Sequence, residues 1–491
     1  MKLRTLLMSS CSLIALSISA AVLAKPVPLP DPGIKGYSFP EDKEKLMAWI
    51  NAGDSNEIYL HGWGLWTSLT APSGQNEYGL KNVPVYLTWL TPAEIAALPR
   101  LKATEKKVDL PAKRTFLLEK PRQMTHKTKG LEQAATAVKS SAASSSATPL
   151  SIRDTNIVVT MGYDPAAQDF AYHNNLFSLK ALQAFYNSGS GNIRSIPVFP
   201  NNAVTVKPTY KVITKANMLN GSIYVMPAWP GTPPVVTPEI SANGFPETSW
   251  PGCVYINTKN TGTSTAASVD KDCTAGSNAS NTYGLGDFVH YPVTKDNIAA
   301  FKVLVSGQEK LAVGDVIVLM AMHVTSREID EWTWQTYFWT PDPTTPPLPS
   351  SSAIASVRPA QLTGAAAHYA MAIGYQMVTP NQPAVGGQSV GGPVVAYNPY
   401  LEAGFNAATF GTPPVNVGIL APGSQTPYMA TVGIQTNCMT CHGNATVDPS
   451  NPNPNTNALP YLTNFYVSRE DQSFKGFLQL DFLWSIQGTA K

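Results

Sequence analysis

Charge is scarce in this sequence. Asp, Glu, Lys and Arg make up 13% of the 491 residues and nearly cancel, at a formal +2, so no global field would steer the chain to nucleic acid or to an anionic membrane. Long apolar runs are missing as well: nothing beyond the first residues approaches the ~18 uninterrupted apolar positions of a transmembrane helix. There is no internal repeat, and no glycine-rich loop of the kind that cradles phosphate. Cysteine and histidine number only five and seven. Proline and glycine, at 42 and 35 residues, are what the chain has in quantity. That composition predicts an α+β protein, rich in strands and loops with short helices, in place of a helical bundle.

The opening "MKLRTLLMSSCSLIALSISAAVLAKP" sets Lys2 and Arg4 before an apolar run at 13–23 that ends in small residues. It reads as a secretory signal over 1–24, cut after Ala24, and it predicts a periplasmic or secreted protein with no transmembrane segment. Cys11 precedes the apolar run and is no lipoprotein site. Losing Lys2 and Arg4 with the signal takes the formal charge from +2 to zero. In an oxidising compartment Cys253 and Cys273 are expected to close a disulfide around a polar loop with little apolar surface of its own.

Between these points the chain divides by composition. An N-terminal segment, 25–99, mixes aromatics with turn residues and ends in "TPAEIAALP", a helix capped by Thr91 with Pro92 at its first position and Glu94 as capping-box partner. Residues 100–149 read as a linker: 100–130 hold ten Lys or Arg against three Asp or Glu, and an Ala/Ser tract follows. The main body, 150–425, carries short apolar runs bounded by Gly, Pro and Asn, which predict strands: "SIYVMPAWP", "GDFVHYPV", "GDVIVLMAMHV" and "HYAMAIGYQMV". "FAYHNNLFSLKALQAFYN" has helical spacing through Leu176, Leu179, Leu182 and Phe185. Thr325, with Glu328, is placed to cap a helix after His323. The C-terminal segment, 426–491, ends in "SFKGFLQLDFLWSI", expected to be a helix burying Phe474, Phe477, Leu478 and Trp484.

The chemistry concentrates in "NCMTCHGNA". Cys438, Cys441 and His442 form Cys-x-x-Cys-His, whose spacing lets two thiols bond both vinyl groups of one haem while the histidine ligates iron. A zinc site would need further ligands, and the chain has no second Cys-x-x-Cys and no His-x3-His. A thioredoxin-like pair belongs near a βαβ start, whereas this motif follows a turn-rich stretch. The 49 residues after it contain no histidine and no methionine. A small stand-alone cytochrome c fold, which takes its methionine ligand from after the motif, is therefore excluded. The sixth iron position is filled from upstream, or it is open. Of His61, His126, His173, His290, His323 and His368, His323 is the foremost candidate, because it ends the most apolar strand beside Trp332 and Trp334. His368, Met371 and Met429 are weaker.

The order of "HVTSREIDEWTWQTYFW", "NPYLEAGF", "TNCMTCHGNA" and "FLQLDFLWSI" resembles a group of exported bacterial proteins of the cytochrome c family with one haem motif near the C-terminus. The resemblance spans about 152–486, with "LHGWGLWTSLT" as its extension into the N-terminal segment. In that group the position of His323 is typically histidine and the Trp332 to Tyr337 stretch is aromatic, which implies a functional His323 without naming a substrate. The expected function is single-electron transfer through one covalent haem c, with Cys438 and Cys441 as anchors and His442 proximal. The alternative is a peroxidase- or oxygenase-like haem enzyme, with His323 and Trp334 shaping an open distal site. The partner is a redox protein or a small molecule, and a body of this size upstream of the haem must bind one of them.

Overall fold

The computed structural model describes residues 25–100, 114–121, 157–189, 191–304, 311–380, 392–410, 432–451, 459 and 461–491. The expected signal over 1–24, most of the linker, His126 and Met429 lie outside the described residues. The fold is α+β and strand-rich. Its centre is a mixed sheet whose strands we number in chain order: β1 (Phe116–Glu119), β2 (Ile157–Val159), β3 (Gly162–Tyr163), β4 (Val204–Ile213), β5 (His290–Pro292), β6 (Phe301–Leu304), β7 (Val316–Ser326), β8 (Thr333–Trp339) and β9 (Tyr369–Ile373). Their spatial order is β6-β1-β2-β4-β7-β8-β9, with β3 paired to β4 and β5 to β7. Only β1 and β6 run parallel among these pairs.

β7 is central because its sequence allows little else. Val316 to Val324 is an almost unbroken apolar run, and a strand apolar on both faces is stable only when both are covered. β4 pairs along its whole length, while β5 and β8 divide its other edge. One face of the sheet is covered by the helix Ser55–Thr70, whose Trp66 ring stacks on Tyr337 at 4.3 Å. Gly62 permits that approach, since a Cβ there would stand 2.7 Å from the Met371 sulfur, and Gly64 makes room for the Tyr37 ring on another side of the helix. The N-terminal segment thus shares one core with the main body.

The structure departs from the sequence expectations in four places. Thr325 caps no helix. It lies in β7, its hydroxyl donating to the Thr333 carbonyl at 2.7 Å, and the chain turns at 327–332 into β8. Cross-strand pairing of "TWQTYFW", all buried, outweighs the local capping signal. The stretch with Leu176 to Phe185 is two helices, Pro165–His173 and Leu179–Ser188, because Asn175 adopts a left-handed φ of 54° and breaks the first. The C-terminal run becomes a 3-10 turn, the short strand Leu478–Gln479 and the helix Trp484–Thr489. Finally, the linker reading fails at 114–121. There Phe116 enters the sheet and Arg114, 6% exposed, is buried against Glu94 and the carbonyls of Thr88 and Trp89.

Cys253 and Cys273 are disulfide-bonded with Cα atoms 5.5 Å apart. They tie a loop to a separate four-stranded sheet that includes Ile223–Pro227 and Cys253–Asn257. Among the described residues no helix is long and apolar enough to cross a membrane.

Candidate functional site

Cys438 to Gly443 form one short helix, so Cys438, Cys441 and His442, at i, i+3 and i+4, share a face. The residues between them hold that helix in place. Asn437 caps it by accepting from the Thr440 N–H at 3.1 Å, and its amide donates to the carbonyls of Val394 at 2.8 Å and Gln376 at 3.1 Å. Met439 is buried in a second apolar cluster, and the Thr440 hydroxyl donates to the Phe465 carbonyl at 2.8 Å. With its other faces anchored, the helix presents both cysteines and His442 to a cavity of about 460 Å³. That is within the usual range for small-molecule and cofactor sites.

The imidazole of His442 is fixed from behind. Its Nδ1 bonds the Phe482 carbonyl at 2.8 Å, so Nδ1 carries the proton and Nε2 is left as the basic nitrogen, which is how metal-ligating histidines are usually oriented. Asp481 and Phe482 both have left-handed backbones, at φ 46° and 70°, an uncommon arrangement for two successive residues with side chains. The strain there serves to aim that carbonyl. The Trp334 ring lies 4.2 Å from the His442 ring. Burial drives the His442 pKa down to about 3, against the pull of the Phe482 carbonyl. The ring is accordingly a neutral base at ordinary pH. Burial, reinforced by the Glu402 carboxylate, raises both thiols, Cys441 to about 12 and Cys438 well above its ordinary value.

The sheet face opposite the Ser55–Thr70 helix forms a further wall. Side chains alternate along strands, and β4, β7 and β8 register Lys207 with His323, and Thr205 with Thr325 and Trp334. All five line the cavity. His323 therefore shares the site with Cys438, Cys441 and His442, and Trp334 joins them. Trp332 does not. It packs on Phe199 at 5.6 Å in the second apolar cluster.

His323 is not free-standing. Its Nε2 bonds Glu402 Oε1 at 3.2 Å, and the other carboxylate oxygen accepts from the Asn398 N–H at 2.8 Å. Burial works to raise the Glu402 pKa, but the attraction and hydrogen bond of His323 outweigh it and hold the carboxyl below its ordinary range. Sequence reading did not single out Glu402. The available signal was a carboxylate in the otherwise apolar "NPYLEAGF", placed where solvation alone does not explain it.

The remaining sequence candidates lie elsewhere. His173 is exposed beside Asp169, His290 bonds the Phe288 carbonyl, His368 pairs with Asp287 at 3.3 Å, and Met371 is core. His61 belongs to a buried polar cluster on the far face of the sheet.

The residues present suit a covalently held haem. Two thiols and a neutral imidazole share one helical face, and Phe405, Tyr461 and Trp484 line the cavity beyond them. A structural zinc ion takes four protein ligands, and among the described residues no three His, Cys, Asp or Glu side chains converge as a metal cage. No family model, curated protein or solved structure matches the chain, so the resemblance drawn from motif order stands on those residues alone.

Proposed function

We propose that this chain is an exported, periplasmic monohaem c-type protein that moves single electrons through a haem attached at Cys438 and Cys441, with His442 as proximal ligand. The observation that carries the reading is the Nδ1 bond from His442 to the Phe482 carbonyl, which readies Nε2 for iron on the same helical face as both cysteines. When bound, the haem supplies a reversible one-electron couple, tuned by ligation, hydrogen bonding and burial. The chain's part is to orient His442, exclude water with Trp334 and Trp484, and place His323 on the sheet wall.

A second reading has its own observation. His323 Nε2 is turned to the Glu402 carboxylate, an arrangement that suits a base or hydrogen-bond donor over an open iron better than a sixth ligand. This is the peroxidase- or oxygenase-like alternative.

The deciding measurement is the visible spectrum of the purified, dithionite-reduced protein before and after carbon monoxide. A low-spin c-type spectrum that ignores carbon monoxide means two protein ligands and electron transfer, and His323→Ala is then expected to make it responsive. A spectrum that shifts means an exchangeable sixth position and the enzyme reading. Cys441→Ser and His442→Ala are expected to leave little stable haem protein. Normal haem content in Cys441→Ser would overturn the assignment.

A further inference from the structure

On the sheet face away from the cavity, three titratable side chains are joined in a line. Tyr375, His61 and Glu328 are 4%, 2% and 1% exposed. They come from the segment after β9, the helix Ser55–Thr70 and the turn between β7 and β8. The Tyr375 hydroxyl lies 2.6 Å from His61 Nδ1, and His61 Nε2 lies 3.1 Å from Glu328 Oε1. The surroundings assign the protons. Glu328 also accepts from the Glu41 N–H at 2.6 Å and from the Ser326 hydroxyl, so it acts as a carboxylate acceptor and His61 Nε2 is the donor. With His61 as the neutral imidazole, Nδ1 carries a lone pair and the Tyr375 hydroxyl donates to it. The Gln335 amide donates to the phenol oxygen at 2.7 Å.

This phenol is connected to the haem-attachment site. The Gly374 N–H, one residue from Tyr375, donates to the Trp334 carbonyl at 2.8 Å, and the Trp334 ring is the one lying 4.2 Å from His442. One aromatic residue, Trp334, and one backbone hydrogen bond thus separate His442 from the Tyr375–His61 pair. Buried phenols elsewhere in the main sheet and its flank are placed differently: Tyr369 and Tyr337 donate to the carbonyls of Leu319 and Gly62, and Tyr86 is paired with Tyr291, while Tyr255, which donates to the Asp270 carboxylate at 2.8 Å, lies in the separate four-stranded sheet. A carbonyl or a second phenol does not take up a proton at ordinary pH, whereas a neutral imidazole does.

We propose that Tyr375 is a redox-active tyrosine, oxidised to a neutral phenoxyl radical with His61 as its proton acceptor and Trp334 as its electrical link to the haem site. Removing an electron from a phenol makes it a very strong acid, and a buried phenol without a bonded base has nowhere to send the proton. In the step, the Tyr375 O–H bond breaks and an N–H bond forms at His61 Nδ1. One electron leaves the phenol ring through Trp334 for a haem oxidised by a peroxide, and the new imidazolium rests against the Glu328 carboxylate. Return of the electron sends the proton back. The identity of that electron acceptor rests on the peroxidase-like second reading of the site, in which the iron is open to a peroxide; the proton transfer does not.

The test is flash oxidation of the purified holoprotein by photogenerated ruthenium(III) tris-bipyridine, read by electron paramagnetic resonance. A neutral tyrosyl signal is expected in the wild type, with an exchangeable, hydrogen-bonded proton resolved by electron–nuclear double resonance. Tyr375→Phe is expected to lose the signal. His61→Gln, which keeps a donor toward Glu328 and an acceptor toward Tyr375 but is no base, is expected to lose it as well. Absence of a tyrosyl signal in the wild type, its persistence in Tyr375→Phe or His61→Gln, or a radical without the exchangeable proton would overturn the proposal. The double-resonance measurement needs no variant to fold. Ruthenium oxidises the tyrosine whether or not haem is bound, and the visible spectrum of the same sample reports haem. A colourless protein that forms the radical would sink the haem reading alone, and a haem-replete one without it would sink this proposal alone.

Discussion

At the scale of single residues, two carboxyls behave oppositely and each gives a test. Asp164 caps the helix Pro165–His173 and accepts from the N–H groups of Ala167 at 2.8 Å and Val204 at 3.0 Å. Burial nevertheless raises its pKa to about 6. Since the folded value lies above the unfolded one, near 3.9, the folded state binds the extra proton. The carboxyl's contribution to stability is complete below about pH 4, falls as pH rises to about 6, and is level beyond. Asp164→Asn keeps an acceptor oxygen and removes the ionisation, so its stability relative to wild type is expected to improve by about 2–3 kcal/mol between pH 4 and pH 7. Urea unfolding at both pH values checks this. Glu402, by contrast, is held as an anion beside His323. Glu402→Gln removes a negative charge from the cavity wall; with the proposed haem bound there this disfavours the ferric state, and the reduction potential of the holoprotein is expected to rise by roughly 30–100 mV. An unchanged potential in a spectroelectrochemical titration would remove Glu402 from the iron's surroundings.

At the scale of elements, the segment 114–121 shows why charge in a sequence does not settle location. Ten basic residues over 100–130 describe a solvated excursion, yet Arg114 is fully engaged: its guanidinium bonds both oxygens of Glu94 and two carbonyls. This contact joins β1 to the capped helix Pro92–Ala97, and Thr91, Pro92 and Ala93 line the cavity. Arg114→Met would leave Glu94 and Glu77 without their buried partner, and a loss of about 3 kcal/mol is expected in chemical denaturation. A change below about 0.5 kcal/mol, the size of an ordinary surface substitution, would restore the linker reading. The hairpin β7–β8 makes the same point. A capping box is worth about 1 kcal/mol, while the pairing of β8 between two buried strands sets every aromatic in "TWQTYFW" on a chosen face.

At the scale of the whole molecule, the site is assembled from distant parts of one chain. Lys207, His323, Glu402 and His442 meet at one cavity, and Tyr375 meets His61 behind it. The segments that composition separates are not separate bodies, because one apolar cluster runs from Trp63 to Ile434 and a second joins Leu46 to Ile486. The disulfide acts at this scale as well. Cys253 and Cys273 are 20 residues apart, and closing a loop of that length restricts the unfolded chain by about 3 kcal/mol. Replacing both by serine is expected to lower unfolding stability by roughly that amount, with reductant then having no further effect on the variant.

The cysteine motif, the capping box at Thr91, the central apolar strand that carries His323 and the α+β class are legible in the sequence by itself, because each depends on residues that are neighbours along the chain; that this strand runs on past His323 to Ser326 is not. The spacing of Cys438, Cys441 and His442 sets which atoms share a helical face before any packing is known. The partners of those atoms are another matter. That Phe482 fixes His442, that Glu402 holds His323, and that His61 faces Tyr375 in place of the cavity were decided by tertiary structure alone. The physical reason is that burial makes an unpaired polar group costly. Which group satisfies it depends on what the sheet register brings near, and register is settled by apolar faces far from the site.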